Sequence, residues 1–336
     1  MTRLRTALLV AAGVVTIQAL LVPLFAAPAA KAGPRELPVV VAGSSPASAP
    51  GVEALAGRLR STRPGAFTVS TVPDAPAADA ALRHRRAYAA FVLGAGGVTL
   101  HVASAASPTV ATLLTQAAQE LGAPAARVVD VVPTATADPR GAGFAAGLLP
   151  LVLTSVAAGL LLTLLVPGRV ARLAGLLGYA LLAGVVGTAV LHGWLGVLGG
   201  AYASDAAAIA LLTLAAGAGV AGLGALLGRA GLGLGALLVF LVGNPLSGAA
   251  SAPELLPRPW GQVGQGLPPG AGATLLRSVA YFSGNGGFLA ACVLGGWALA
   301  GLALVALAPR RAAGQAGQAV PLRPIREGEV PATAAS

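Results

Sequence analysis

After DPRGAG (138–143) the chain is apolar for most of its remaining length, interrupted only by short breaks and one irregular stretch. A helix needs about 20 apolar residues to cross the hydrocarbon core of a bilayer. The runs near 144–166, 173–198, 206–227, 231–250 and 287–308 each approach or exceed that length, and TALLVAAGVVTIQALLVPLFAA (6–27) adds one more after MTRLR. Six membrane spans are therefore expected. Of 336 residues, 56% are hydrophobic and only 10% charged, which places the chain among membrane proteins rather than soluble domains. Glycine supplies 47 residues and aromatics only 4%, so helix contacts should come from small side chains that let backbones approach.

The first run has two readings. AAPAAKA behind it offers small residues for signal-peptide cleavage. The run is longer than the roughly 7 to 15 residues of a signal core, which favours a retained anchor with Arg3 and Arg5 on the cytoplasmic side. Arg169 and Arg172 follow the second span, Arg229 the fourth, and Arg310 and Arg311 the sixth. With six spans these breaks and both termini share one face, which the positive-inside rule makes cytoplasmic in a multi-pass plasma-membrane protein. The polar tail 310–336 is expected to be disordered.

Between residues 30 and 142 the pattern changes. LPVVVAG (37–43), AFTVSTV (66–72), AYAAFVLG (87–94), VTLHVAS (98–104) and RVVDVVP (127–133) read as strands, with GAGG turning the third into the fourth. VEALAGRLRS (52–61), residues 76–86 and TVATLLTQAAQELG (109–122) have helical spacing. The expected fold class is an α-helical integral membrane protein with six transmembrane helices. An extracytoplasmic α/β domain (30–142) would be inserted between the first helix (1–29) and the five-helix membrane domain (143–309).

Few residues ask for chemistry. The net charge of +10 comes without a basic stripe interleaved with aromatics, so nucleic acid is not an expected partner. Cys292, the single cysteine, makes no intramolecular disulfide. No Asp, Glu, Lys or Arg falls inside the segments proposed to lie in hydrocarbon, which argues against an ion-driven carrier. His192 beside Trp194 reads as an interfacial pair, and His84 and His101 lack a metal-ligand pattern. GAGVAG (217–222) matches a dinucleotide-binding spacing, but it lies mid-span, where helix packing is the better reading. The pairs Gly143/Gly147, Gly196/Gly200, Gly224/Gly228 and Gly231/Gly235 are read the same way. No phosphate loop, GxSxG elbow or HExxH is present. Asp74, Asp79, Asp130 and Asp138 read as capping or solvated acids. No catalytic residue, cofactor or metal is expected.

The irregular stretch runs from Gly243 to Ser278 and contains six prolines. Irregular backbone cannot face lipid, so it must lie in the interface, in water or against protein. Asn244, Pro245, Ser247 and Gly248 are followed by Pro253, Leu256, Pro257 and Trp260, then by Leu267, Pro268, Pro269, Gly270 and Arg277. This order resembles the outer end of type-2 ABC transporter permeases, in particular the YhgE/Pip (phage infection protein)-like branch and its actinobacterial relatives. The arrangement of anchor, outer domain and five further spans is similar to that branch up to about residue 310.

The resemblance implies a permease-like subunit that moves an amphipathic or hydrophobic solute with energy from a separate ATP-binding subunit, working as a homodimer or with a sister permease in membrane lipid. It implies an outer gate in segment 243–285, with Asn244, Pro245, Pro257, Trp260, Pro268 and Arg277 as gate or pathway residues. MTRLR and PGRVARLAG are shorter than the cytoplasmic elements such permeases present to their ATPase. The alternative from a different class is an envelope receptor or scaffold whose outer domain binds a cell-wall, phage or protein ligand.

Overall fold

A computed structural model describes residues 2–44, 48–120 and 127–308 of the chain. The tail 310–336, with Arg310 and Arg311, and the last two residues of the 109–122 helical pattern lie outside the described residues. Helix α1 (Thr2–Ala30) leads into the outer domain. That domain follows as β1 (Leu37–Gly43), α2 (Ala49–Thr62), β2 (Phe67–Val72), α3 (Ala75–Arg83), β3 (Ala89–Gly94), β4 (Gly97–Val102), α4 (Pro108–Glu120) and β5 (Val128–Asp130).

The five strands form one sheet in the order β2-β1-β3-β4-β5. β1 pairs parallel with both β2 and β3, β3 and β4 form an antiparallel hairpin, and β5 runs parallel to β4. The residue types explain the order. LPVVVAG is buried almost throughout, as a strand covered on both faces must be. FTVSTV at the sheet edge carries polar residues on its exposed positions. The hairpin closes with Gly94 opposite Gly97, whose φ of +108° suits only a residue without a Cβ. Asp74 caps α3 by accepting the Ala77 N–H at 2.8 Å.

The membrane part contains α5 (Ala142–Leu165), α6 (Arg169–Trp194), α7 (Tyr202–Leu227), α8 (Arg229–Val242), α9 (Trp260–Gln265), α10 (Pro268–Tyr281) and α11 (Phe288–Leu307). Among the described residues five helices, not six, are long and apolar enough to cross a membrane: α1, α5, α6, α7 and α11. The run read as a span over 231–250 is α8, eight α-helical residues continued by six in π geometry. At 1.5 Å per residue it reaches about 21 Å, short of the roughly 30 Å hydrocarbon core. It stops because Gly243, Asn244 and Pro245 turn the chain.

Helix α7 is the hub, buried from Ala215 to Gly222 without interruption and packed by α5, α6, α8, α10 and α11. GAGVAG is mid-helix, as the packing reading requires. A Cβ on Gly222 would lie 2.8 Å from the Gly301 Cα of α11, so the two glycines set how close these helices come. Gly231 and Gly235 of α8 likewise lie against α7. The pair Gly196/Gly200 lies in the connection between α6 and α7 and not within a helix: Gly196 has a φ of +62°, while Gly200 lies against the α10 backbone, where a Cβ would come 2.6 Å from the Val279 carbonyl oxygen.

The Arg169 guanidinium donates to the Ala306 carbonyl at 3.1 Å, so the start of α6 and the end of α11 share a face. That face has connections of only a few residues, Val166–Gly168 between α5 and α6 and Gly228 between α7 and α8. The opposite face carries the α/β domain. Asp138 joins domain and bundle there by accepting the Gly143 and Phe144 N–H groups at 3.0 and 2.7 Å, which caps α5.

Candidate functional site

The proline-rich stretch is a folded plug. It holds a 3-10 turn at Pro253–Leu255, then α9 and α10. Leu267 is extended and Pro268 and Pro269 open α10, where missing N–H groups cost nothing. Most of α10 is buried, with Ala271, Ala273, Leu276 and Ala280 in the same core as α7, so its backbone is shielded by protein rather than lipid. Trp297 of α11 donates to the Gly266 carbonyl at 2.9 Å, and Tyr281 reaches the Val197 carbonyl.

The same segment also belongs to the outer domain. Ala252 and Leu255, 0% and 1% exposed, complete the core between the sheet and helices α2 and α4. Phe282 completes the core on the α3 side. The Gly33 and Arg35 N–H groups donate to the Leu255 and Glu254 carbonyls at 3.0 Å each, and Thr109 donates to the Ala250 carbonyl at 3.0 Å. Burying a leucine side chain contributes roughly 2 kcal/mol. The plug is therefore gripped from above by the domain and from below by the bundle.

Between them lies a cavity of about 530 Å³, lined by Arg85, Tyr88, Glu254, Gln265, Thr274 and Arg277 among others. Tyr88 donates to Glu254 at 2.7 Å. Burial, reinforced by the Glu254 charge, pushes the Tyr88 phenol well above its ordinary value, so it remains a proton donor at neutral pH. Arg85 donates to the Thr274 carbonyl at 3.0 Å and stands 5.3 Å from the Phe282 ring centre. Arg277, only 5% exposed, donates to the Ala249 carbonyl at 2.8 Å and lies 4.5 Å over the Phe144 ring. Burial lowers the Arg85 pKa, partly offset by Tyr88 and Glu254. Burial and then the Arg85 charge lower that of Arg277 to about 10, which still leaves it a cation at neutral pH.

The other charges here are committed. Arg258 pairs with Glu36 at a half-exposed position, and Arg35 is spent on the Lys31, Gly33 and Leu255 carbonyls. Among the described residues, neither Arg85 nor Arg277 has a carboxylate partner.

Of the six gate or pathway residues, Arg277 alone lines the cavity. Asn244 and Pro245 form the turn after α8, where the Asn244 carbonyl accepts from the Ser247 N–H and hydroxyl. Pro257 precedes α9, Trp260 opens it with 46% of its surface exposed, and Pro268 is buried at the start of α10. Of these, Pro257 and Trp260 meet, the Trp260 N–H donating to the Pro257 carbonyl at 2.8 Å. Arg85, Tyr88 and Glu254 carried no signal of their own, since their partners are far away in sequence.

A second polar cluster corrects the expectation of spans without ionisable groups. α7 begins at Tyr202, ahead of the expected 206, and so includes Asp205 in its first turn. Its carboxylate is fully buried and 3.0 Å from His192 Nδ1, on the π-helical last turn of α6. Asp205 Oδ1 and the neighbouring element's Thr188 Oγ1 have no hydrogen-bond partner. His192 is thus within hydrogen-bond distance of a buried carboxylate, and Trp194 beside it is 80% exposed. In the outer domain His101 Nδ1 lies 2.6 Å from Asp79, which also neighbours Arg83. No cluster of three or more metal-ligating side chains occurs among the described residues.

No family model matches the chain, and neither a curated protein nor a solved structure does. What stands is the architecture: a multi-pass helical membrane protein with an α/β domain inserted between its first and later helices.

Proposed function

We propose that this chain is a permease-like membrane subunit that moves an amphipathic solute, with the 243–285 segment as its outer gate. The observation carrying this reading is that one segment contributes to three cores at once, two in the outer domain and one in the bundle. A ligand that shifts the domain must therefore move α10, and α10 packs on the central helix α7. Packed cores respond to such shifts by switching between discrete arrangements rather than deforming smoothly. Asn244, Pro245, Pro257, Trp260 and Pro268 shape the gate and Arg277 faces the pathway. The arginine-bearing face with Arg169, Arg172 and Arg229 is cytoplasmic by the positive-inside rule. It would meet a separate ATPase, and the permease would act as a homodimer or with a sister subunit.

One observation favours the receptor or scaffold reading instead. The connections on the arginine-bearing face, Val166–Gly168 and Gly228, leave an ATPase little to push against. Purification of the tagged full chain from native membranes under mild conditions, with mass spectrometry of what accompanies it, separates the two. A stoichiometric partner with a phosphate loop supports the permease. Repeated recovery without one, under conditions that preserve a known ABC complex, overturns it in favour of the receptor. If an exported solute is found, a Pro257→Ala, Pro268→Ala double variant that exports it at the normal rate removes the gate assignment.

A further inference from the structure

The cavity between domain and plug holds a charge problem that the protein leaves unsolved. Four arginines and two glutamates line it, a surplus of two positive charges. Arg258 and Glu36 cancel, Arg35 donates to the Gly33, Leu255 and Lys31 carbonyls, and Glu254 accepts from the uncharged Tyr88. That leaves Arg35, Arg85 and Arg277 against the single Glu254 carboxylate, and Arg85 and Arg277 have each given one nitrogen to a backbone carbonyl and keep their remaining donors. Two buried like charges with only the Glu254 carboxylate near to offset them are costly unless something anionic enters.

The lining selects the anion. Planar guanidinium forks match the oxygens of phosphate, and a phosphate monoester carries about −1.5 to −2 charges at neutral pH. Gln265 and Thr274, also in the lining, already bond to each other at 2.7 Å and give the wall a polar floor. The cavity also has an apolar exit. Leu289, in its lining, is 75% exposed on the first turn of α11, next to Phe288 at 83%. On a membrane helix that exposure is lipid contact, so a chain attached to an anion in the cavity has an apolar path along α11.

We propose that this cavity binds a phosphate group through Arg85 and Arg277, presented by an amphiphile whose acyl part lies against the outer end of α11. The inference deepens the permease reading by giving its solute class, and it rests on that reading only for the transport step after binding.

The test is calorimetric titration of the purified full chain in a neutral detergent. Its probes are dihexanoyl phosphatidic acid, dihexanoyl phosphatidylcholine and glycerol 3-phosphate. Phosphatidic acid should bind at least tenfold tighter than the choline lipid. Arg85→Gln should weaken it about tenfold or more, the scale of losing a charge-assisted hydrogen bond, and Arg85→Lys should restore part of it. Arg277→Gln should do the same, while Arg85→Gln, at the less buried position, serves if the Arg277 variant elutes as aggregate. Equal affinity for the two lipids, or binding untouched by Arg85→Gln in a protein that elutes normally, overturns the proposal. Glycerol 3-phosphate binding as tightly as phosphatidic acid keeps the phosphate site and overturns the membrane source. The assay reads occupancy alone, so a chain that bound phosphatidic acid yet had no ATPase partner would keep this inference and lose the permease.

Discussion

The apolar spans Arg3–Pro28 of α1 and Tyr202–Leu227 of α7 are each 26 residues long with close mean hydropathies of 2.3 and 2.0, yet the most apolar stretch of α1 has no residue buried and that of α7 has 67%. Hydropathy sends both into lipid and says nothing about which will be covered. The difference lies in side-chain size. α1 presents Leu8, Leu9, Val14, Val15 and Leu20 on all sides and has Gly13 as its only glycine, with open space around it. α7 carries Gly217, Gly219, Gly222 and Gly224 within eight positions. Lipid tails are as apolar as leucine, so helices in a bilayer gain most where small residues allow backbone contact. α7 is built for that contact and α1 for a lipid-facing position.

The sharpest way to break the comparison is one substitution in each setting. Gly301→Leu, at the α7–α11 crossing, would push a branched side chain into the α7 backbone and should cost about 3 kcal/mol or more, read as loss of the monodisperse peak on size exclusion. Gly13→Leu should leave that peak unchanged. If both behave alike, small-residue packing does not set the hub.

A smaller effect is expected at the polar end of α7. His192→Ala leaves the buried Asp205 carboxylate without its partner and should cost roughly 3 kcal/mol. Adding Asp205→Asn should recover most of that loss, because no charge is then stranded. A double variant no more stable than His192→Ala in thermal unfolding would mean the pair is not the source of the cost.

The smallest effect sharpens the α1 side. With a specific protease site placed between Ala30 and Lys31, cutting the purified protein should shift its melting temperature by no more than about 1 °C. The reason is that no residue in the most apolar stretch of α1 is buried. A larger drop would show that α1 contributes packing after all.

Much of the outer domain was legible in order along the chain. β1 falls on 37–43 as read, and the other elements differ mainly at their ends. Short β-branched runs bounded by glycine and proline are local signals, and so is the Gly94–Gly97 hairpin. The Asp74 and Asp138 caps followed the same logic. The count of spans failed at α8, because a hydropathy window averages across Gly243 and Pro245 and cannot see the helix end there. Asp205 was missed for a related reason: it lies just outside the apolar run, and only the helix start at Tyr202 carries it into the core.

The candidate site divides the same way. Arg277 could be singled out because the family resemblance places an arginine at the end of the proline-rich stretch. Arg85 could not, since it contacts Thr274 across 189 positions of sequence. By itself the sequence determined the membrane class, the inserted α/β domain and the irregular plug, because each is written in local composition and periodicity. Only the tertiary structure decided that the plug completes both cores of the domain, and that two arginines without carboxylates meet in one cavity. Burial and charge pairing depend on which distant segments share space, and no local pattern records that.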